Sequence, residues 1–355
     1  MEDRLAARSE KLENVSRELE GVLQGSRNTP DLNKCDGKGA QIRLDRDFVM
    51  SDFSEVALPD LPDIPGMITD AEGRYLYWLA SEVYEGRGAI HELGTWLGRS
   101  TSRLAAGLAA AHDDAQMNCF DHFRWSGGTN WDQKTHTVHA RNEDFMPEFL
   151  ANLGPYAARI RPVRTKISEI SLPDEAVEIM VLDAPKRLRD ISASLTQIAG
   201  RTIPSTTILA WQDFMHGASF EIPATLYALR DKLSPIHSIT TGCMLAFRVT
   251  DGWRAEEVSV HALDFSHWSS AECVAVWEYW LPAVSPSQQP AFRIGLAMLL
   301  HDLGHAEAAN EETVRLARTH GAALAAKMAK WGEGSLRARY APVFAAFEAA
   351  AFTGA

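Results

Sequence analysis

Cysteines are scarce in this chain, and their spacing excludes the common structural uses of the residue. The 355 residues include four cysteines, Cys35, Cys119, Cys243 and Cys273. No two of them form a Cys-x-x-Cys pair, so neither a structural zinc site nor a disulfide framework is indicated. Because reduced, scattered cysteines are typical of a reducing compartment, we expect the protein to be cytoplasmic.

Positive charge is also in short supply. Lysine and arginine together number 35 against 47 aspartates and glutamates, which gives a formal net charge of −12. A general nucleic-acid-binding protein presents a basic face, so we expect no nucleic-acid partner, although the net charge does not exclude a local basic patch. The sequence also lacks an apolar run long enough to span a bilayer, and it shows no secretory leader pattern. Its composition, 46% hydrophobic and 23% charged, is that of a globular protein with one large or two modest domains.

A glycine-containing turn lies between residues 88 and 101, in the sequence GAIHELGTWLGRST. Ala89 and Ile90 begin an apolar run that suits a buried strand, and apolar residues at helical spacing lie before and after the segment. Helix, strand, glycine turn and helix form the opening unit of nucleotide-binding α/β domains. Gly94 and Gly98 would let the backbone approach a ligand closely, although an ordinary strand-to-helix turn would have the same pattern.

Two other predicted strands end in acidic or amide side chains. Met117–Asp121 reads as a strand whose last residue could accept hydrogen bonds from ribose hydroxyls. A helix cap or turn is an equally good interpretation of that aspartate from spacing alone. A further strand is predicted over Thr202–Ala210, and Gln212 and Asp213 follow it closely.

The apolar run Val177–Leu182 predicts a buried parallel strand, and Asp183 and Lys186 follow at its carboxyl end. Ligands of open α/β sheets bind at this edge, so a carboxylate and an ammonium three residues apart could face one pocket. A salt bridge on a strand-to-helix turn is the structural alternative, and it is the stronger objection for Lys186.

From about Glu92 to Asp213 the sequence resembles the class I S-adenosylmethionine-dependent methyltransferases. More narrowly, it resembles the group that includes macrocin O-methyltransferases and, more distantly, catechol O-methyltransferase. The resemblance extends over roughly residues 67–249 and ends in an antiparallel hairpin predicted over Ile236–Val249. It implies a Rossmann-like, doubly wound, mostly parallel sheet with helices on both faces. The implied activity is S-adenosyl-L-methionine-dependent methylation of a hydroxyl on a sugar or other natural product, with divalent-metal assistance.

The resemblance also implies roles for individual residues. The implied cofactor-binding residues are Glu92, Gly94, Thr95, Gly98, Ser100, Asp121, Thr165 and Asp183. Asp183, Gln212 and Asp213 would hold Mg²⁺, and Lys186 would take the proton from the acceptor. Independently of the resemblance, His216 follows the Gln212-Asp213 pair closely and is a second candidate base, and Asp183 completes the catalytic candidates. Gln212 stands where the group often has an aspartate, and an uncharged amide weakens a magnesium site. A direct carboxylate base without metal is therefore the alternative.

The rest of the chain divides into three further regions. Residues 1–25 show leucines at heptad spacing, which predicts a short coiled-coil arm and a homo-oligomer formed through it, although a disordered arm is nearly as well supported. Residues 26–66 read as a linker before the methyltransferase domain at 67–255. Residues 256–355 are alanine-rich and predict three or four short helices.

Two other functions stay open at this stage. An adjacent His301-Asp302 pair is similar to the metal-binding pair of HD phosphohydrolases, although a helix end is the favoured interpretation. The histidine-containing insertion at 124–139, with His122 just before it, could suggest a metal cluster, but solvated loop histidines are more common. The second open function is that of a non-catalytic α/β scaffold that organises a biosynthetic complex.

Overall fold

An eight-stranded sheet runs through the part of the chain that the computed structural model describes, which is residues 41–51, 53–112, 114–127, 139–331 and 335–352. The strands are β1 Val49–Ser51, β2 Ala89–Leu93, β3 Met117–Asp121, β4 Ile160–Arg164, β5 Val177–Leu182, β6 Ile208–Trp211, β7 Leu233–Ile239 and β8 Leu245–Val249. Their order is β1-β7-β8-β6-β5-β2-β3-β4. β8 runs antiparallel to β6 and β7, and the other neighbouring strands are parallel.

Helices cover both faces of this sheet. They are α1 Asp70–Trp78, α2 Arg99–Ala111, α3 Met146–Leu153, α4 Leu188–Ile198, α5 Glu221–Leu226, α6 Ser270–Trp280, α7 Gln289–Asp302, α8 Ala306–Trp331, α9 Ser335–Arg339 and α10 Ala341–Phe352. The predicted fold class is confirmed: a Rossmann-like, doubly wound sheet followed by a helical C-terminal region. Within the described ranges, no helix is both long and apolar enough to cross a bilayer.

Alternate residues of the central strands pack into two separate cores. Ile179 and Val181 of β5 join the cluster formed with α1, α2 and α3, whereas Met180 and Leu182 join the cluster formed with α4 and the C-terminal helices. This alternation follows from the two-residue period of a strand whose faces are both covered. It explains why β5 is apolar at every position except Glu178, whose buried carboxylate accepts hydrogen bonds from the backbone N–H groups of Glu85, Arg87 and Gly88.

One sequence prediction about this region was wrong in extent. The strand predicted over Thr202–Ala210 begins only at Ile208, because Pro204 lacks an N–H and Ser205 turns the chain at a φ of 63°. The predicted linker 26–66 contains β1, which pairs in parallel with β7 at the sheet edge. The polar sequence around β1 does not indicate a strand. The strand forms because its pairing with β7 supplies its hydrogen bonds.

The C-terminal region contains five described helices, and α8 alone spans 26 residues with a non-helical residue at His320. The C-terminal region therefore has more helices than the three or four that the sequence predicts, and α8 is a long helix instead of a short one. Two tryptophans of α6 connect it to neighbouring helices through their indole N–H groups. Trp280 donates to the carbonyl of Pro223 in α5 at 3.0 Å, and Trp277 donates to the carbonyl of Phe292 in α7 at 2.8 Å. The division into domains at 25, 66 and 255 stays a prediction, and the coiled-coil arm at 1–25 lies outside the described residues.

We expect stability to fall in mild acid because of His91 on β2. Its side chain is fully buried, and burial, helped by the charge of Arg201, lowers the pKa from 6.5 to about 4. The unfolded chain therefore binds the proton more readily, and stability is lost as the pH falls from about 6.5 to about 4. The loss should approach about 3 kcal/mol.

Denaturant unfolding at pH 7.5 and 4.5 measures this effect. The variant His91→Gln removes the titrating group and should show a smaller fall in the free energy of unfolding between the two pH values. An identical fall in both proteins would mean that His91 does not cause the acid sensitivity.

Candidate functional site

The turn after β2 places unusual backbone at the carboxyl edge of the sheet. Gly94 has a φ of 89° and Gly98 a φ of 97°, a left-handed region that favours glycine. A Cβ on Gly94 would lie 2.7 Å from the backbone nitrogen of Ala184, so only glycine lets the turn pass so close to the end of β5. Gly98 then caps the N-terminus of α2. The turn thus presents backbone close to the sheet edge and opens a helix there, as the sequence predicts.

Asp121, the last residue of β3, holds this turn in place. Its Oδ2 accepts hydrogen bonds from the backbone N–H groups of Thr95 at 2.9 Å and Trp96 at 3.0 Å. Its Oδ1 accepts one from Phe123 at 2.9 Å. Trp96 and Phe123 both have positive φ values, 42° and 51°, which the carboxylate helps to maintain. Since a carboxylate has about four acceptor positions, one is left for a ligand hydroxyl.

Glu92 lies beneath the turn in a fully buried position. Its Oε2 accepts a hydrogen bond from the Thr101 hydroxyl at 2.6 Å, whereas its Oε1 is buried without a partner among the described residues. Burial raises the pKa of Glu92 to about 7, although the hydroxyls of Ser100 and Thr101 oppose it. The hydroxyl of Thr95 is likewise buried and unpartnered. These polar atoms are left for something other than the described protein groups, which is what a bound polar ligand would use.

Beyond the turn, Lys186 joins the ends of β5 and β6. Its Nζ lies 2.5 Å from Oδ2 of Asp213 and 3.5 Å from Oδ1 of Asp183. Burial disfavours the ammonium, but the two carboxylates outweigh it and raise the pKa of Lys186 above its ordinary value. Burial raises the pKa of Asp183 to about 6 despite the charge of Lys186. A lysine that holds its proton this firmly is a poor base, so the geometry does not favour the predicted proton-accepting role of Lys186.

The same geometry tests the predicted magnesium site. Of its three predicted ligands, Asp183 and Asp213 both face the Lys186 ammonium, which stands where a cation would stand between them. The third ligand, Gln212, uses its amide nitrogen on Glu72 and keeps a buried, unpartnered Oε1. The residues as arranged do not fit a divalent ion, because an ammonium already contacts both carboxylates of the set and offsets one of their two negative charges.

Glu72 connects α1 to this edge of the sheet. It is 1% exposed, and its Oε1 accepts hydrogen bonds from Nε2 of Gln212 at 3.0 Å and the backbone N–H of Cys243 at 2.7 Å. Its Oε2 accepts from the N–H of Thr69 at 2.7 Å, which completes a capping box at the start of α1. Burial raises the pKa of Glu72. The orientation of Gln212 is therefore set from α1.

His216 follows Asp213 closely, and its backbone N–H donates to the carbonyl of Asp213 at 3.1 Å. Its Nδ1 is buried without a partner among the described residues, and its ring packs edge-on against Trp331 at a centroid distance of 4.8 Å. Burial lowers the pKa of His216, although Asp213 opposes the effect, so the neutral imidazole is favoured. Trp331 ends α8, which means that the C-terminal helices form one wall beside the site.

These residues lie at the carboxyl ends of four adjacent parallel strands, β3, β2, β5 and β6, and the sheet closes with the reversed strand β8. Both the strand arrangement and the position of the glycine turn are those that the family resemblance implies. The chain has a Rossmann-like, doubly wound sheet whose last strand along the chain is antiparallel, which is the fold class that the resemblance implies.

Three of the solved structures to which this chain is similar are described as O-methyltransferases. NovP is 16% identical, with a TM-score of 0.38 over 50% of this chain and 79% of that one. CalS11, a TDP-rhamnose 3'-O-methyltransferase of calicheamicin biosynthesis, is 15% identical, with a TM-score of 0.37 over 51% and 80%. An O-methyltransferase from Bacillus cereus in complex with SAH is 13% identical, with a TM-score of 0.35 over 56% and 86%. No family model and no curated protein matches the sequence.

The remaining predicted residue of the methyltransferase site, Thr165, follows β4. Its backbone N–H donates to the carbonyl of Asp121 at 2.9 Å, so it lies at the same edge. Its hydroxyl bonds to the carbonyl of Lys166. Thr165 is thus close to Asp121, although its side chain makes a local bond instead of facing the turn residues.

The alternative metal sites find no support in the described ranges, where no group of three or more His, Cys, Asp or Glu side chains could hold an ion. Asp302 accepts hydrogen bonds from Arg339 at 2.6 Å and the Tyr340 hydroxyl at 3.0 Å, which is a structural role. His139 pairs with Glu148 at 2.5 Å. His136 and most of the insertion lie outside the described residues.

Sequence reasoning missed two residues of this site. Glu72 was recognised only as a helix-capping residue, and no local pattern shows that the same carboxylate also binds Gln212, 140 residues away. Trp331 carried no signal, because an aromatic residue late in an alanine-rich helix is usually a core residue. Both contacts depend on how distant segments pack together.

Proposed function

We propose that this protein is an S-adenosyl-L-methionine-dependent O-methyltransferase that acts on a hydroxyl of a polar small molecule, such as a sugar or another natural product. The observation that carries the proposal is the Asp121 carboxylate, which holds the glycine turn of β2 at the carboxyl edge of the sheet. That arrangement brings together, at one place, the backbone of the glycine turn, the N-terminus of α2 and an acidic side chain. The buried unpartnered oxygens of Glu92 and Thr95 support a polar ligand there.

The bound cofactor would contribute a methyl group on a positively charged sulfur, which keeps the bonding electron pair as the carbon–oxygen bond forms. The chain must then position the acceptor oxygen and remove its proton. His216 fits the second task best, because its Nδ1 is buried and unpartnered beside Asp213. Asp183 directly follows β5, lies 3.5 Å from the Lys186 ammonium and would orient the acceptor hydroxyl.

Replacing Asp121 with alanine should weaken S-adenosylmethionine binding by about thirtyfold or more. The change removes a charged acceptor from three backbone N–H groups, an effect of about 2 kcal/mol, and releases the turn that would contact the cofactor. Isothermal titration calorimetry with S-adenosylmethionine on the wild type and on Asp121→Ala measures the difference. Asp183→Ala, titrated alongside, should keep most of the affinity, since Asp183 is assigned mainly to the acceptor.

The matched control is Asp174→Ala, an exposed aspartate that bonds only peripherally to Arg201 at 3.6 Å. It should bind the cofactor as the wild type does. A wild-type protein that shows no heat of binding with S-adenosylmethionine would refute the proposal. Equal loss in the Asp121 and Asp174 variants would show that the effect is unspecific.

A further inference from the structure

We propose that the ammonium of Lys186 is the resident cation of this site and takes the place of a divalent metal ion. The inference rests on the proposed methyltransferase function for its catalytic meaning. Its structural content, a protein cation in place of a metal, can be tested without any turnover. It differs from the base role that the sequence predicts for Lys186, since the lysine here acts through its charge.

The contacts of Lys186 support this assignment. The carboxylates of Asp183 and Asp213 come from the ends of adjacent strands, β5 and β6, and each turns an oxygen toward the same ammonium, at 3.5 and 2.5 Å. Magnesium takes oxygen ligands at about 2.1 Å, so an ion bound between these carboxylates would meet the ammonium at close range. Charge repulsion would then expel one of the two cations. The Lys186 ammonium would stay, because it is covalently part of the chain, and the divalent ion would leave.

The donor set points the same way. Of the three predicted metal ligands, Gln212 is the one that does not pair with Lys186, and its side chain is uncharged. Its amide nitrogen is committed to Glu72, which fixes the side chain in one orientation. One neutral oxygen beside two carboxylates that already share an ammonium is a weak site for a hard dication.

Lys186 is also placed to act on an acceptor. Its side chain remains 41% exposed, so a ligand can reach the charged group. A fixed positive charge near an oxygen that loses its proton stabilises the developing negative charge, which is the service a metal ion would otherwise provide. The neighbouring Arg187 is not available for this role, because it pairs with Glu221 at 2.6 Å.

Titration with Mn²⁺, followed by electron paramagnetic resonance of the free ion, tests the proposal. The wild type should bind no Mn²⁺ at the Asp183–Asp213 pair. Lys186→Met removes the charge, keeps a similar chain length and should bind Mn²⁺ at least about tenfold more tightly than the wild type. Adding Asp183→Asn to that variant should abolish the gain, and Lys186→Arg, which keeps a cation, should behave as the wild type.

Two results would overturn the proposal: stoichiometric Mn²⁺ binding by the wild type that Asp183→Asn removes, or no gain in a folded Lys186→Met protein. Circular dichroism establishes that the variants are folded, and Lys186→Gln serves as a second neutral variant if the methionine form does not fold. If neither neutral variant folds, the wild-type titration decides. Calorimetry with S-adenosylmethionine tests the proposed methyltransferase function separately. A failure of that function can therefore be distinguished from a failure of the proposal about Lys186.

Discussion

Replacing Gly94 with alanine should abolish detectable S-adenosylmethionine binding and destabilise the fold. The added Cβ would lie 2.7 Å from both the backbone nitrogen and the Cβ of Ala184, and the φ of 89° is strained for any residue with a side chain. The strain alone costs about 1–3 kcal/mol, and relief of the clash must shift either the turn or the end of β5. Calorimetric titration and urea unfolding measure the two effects.

Gly86 provides a matched control for this change. It also has a positive φ, 76°, but a Cβ there would meet no atom within 4 Å. It precedes β2 and so lies at the opposite edge of the sheet from the turn. Gly86→Ala should therefore lose stability through backbone strain and keep cofactor binding. If Gly94→Ala binds the cofactor as tightly as the wild type, the turn is not the cofactor cradle.

Replacing Glu72 with alanine should be the most destabilising single change among the polar residues near the site. The change leaves the N–H groups of Thr69 and Cys243 and the amide of Gln212 without their acceptor, in surroundings where Glu72 is 1% exposed. Leaving buried donors unpaired should lower the free energy of unfolding by about 3 kcal/mol or more. Urea unfolding measures the loss, and Glu72→Gln should lose less because it keeps the shape and one acceptor oxygen.

Glu272 is the matched control, because it completes the same capping box with Ser269 at the start of α6. Its carboxylate is exposed and makes only these local bonds. Glu272→Ala should therefore cost only a small part of what Glu72→Ala costs. Equal losses would mean that the contacts of Glu72 with Gln212 and Cys243 add nothing to its role as a cap.

Several elements were predictable from the sequence because their causes are local. The run Val177–Leu182 predicts β5 with both of its ends, since a strand covered on both faces is mostly apolar, and Glu178 is its one charged residue. The pattern of Thr69 and Glu72 predicts the start of α1. The glycine turn after β2 also follows from local rules, because residues at positive φ are usually glycine.

Other elements were not predictable from local patterns. β1 is three residues long, and its hydrogen bonds come from β7, nearly two hundred positions later in the chain. Thr202 and its neighbours have strand-like composition, but a proline and a left-handed serine make the segment a turn. In both cases a contact or a backbone conformation outweighs the preference of the side chains.

The sequence by itself determined which chemical groups would meet at the carboxyl edge of the sheet. Residues that follow parallel strands share one edge, so Asp121, Asp183 and Asp213 were brought together by strand order alone. Only the tertiary structure decided what each group does there. Asp121 bonds to the turn backbone, and Lys186 closes onto both other carboxylates. The physical reason is that strand order places groups to within a few ångströms, whereas hydrogen bonds and ion pairs depend on differences smaller than that.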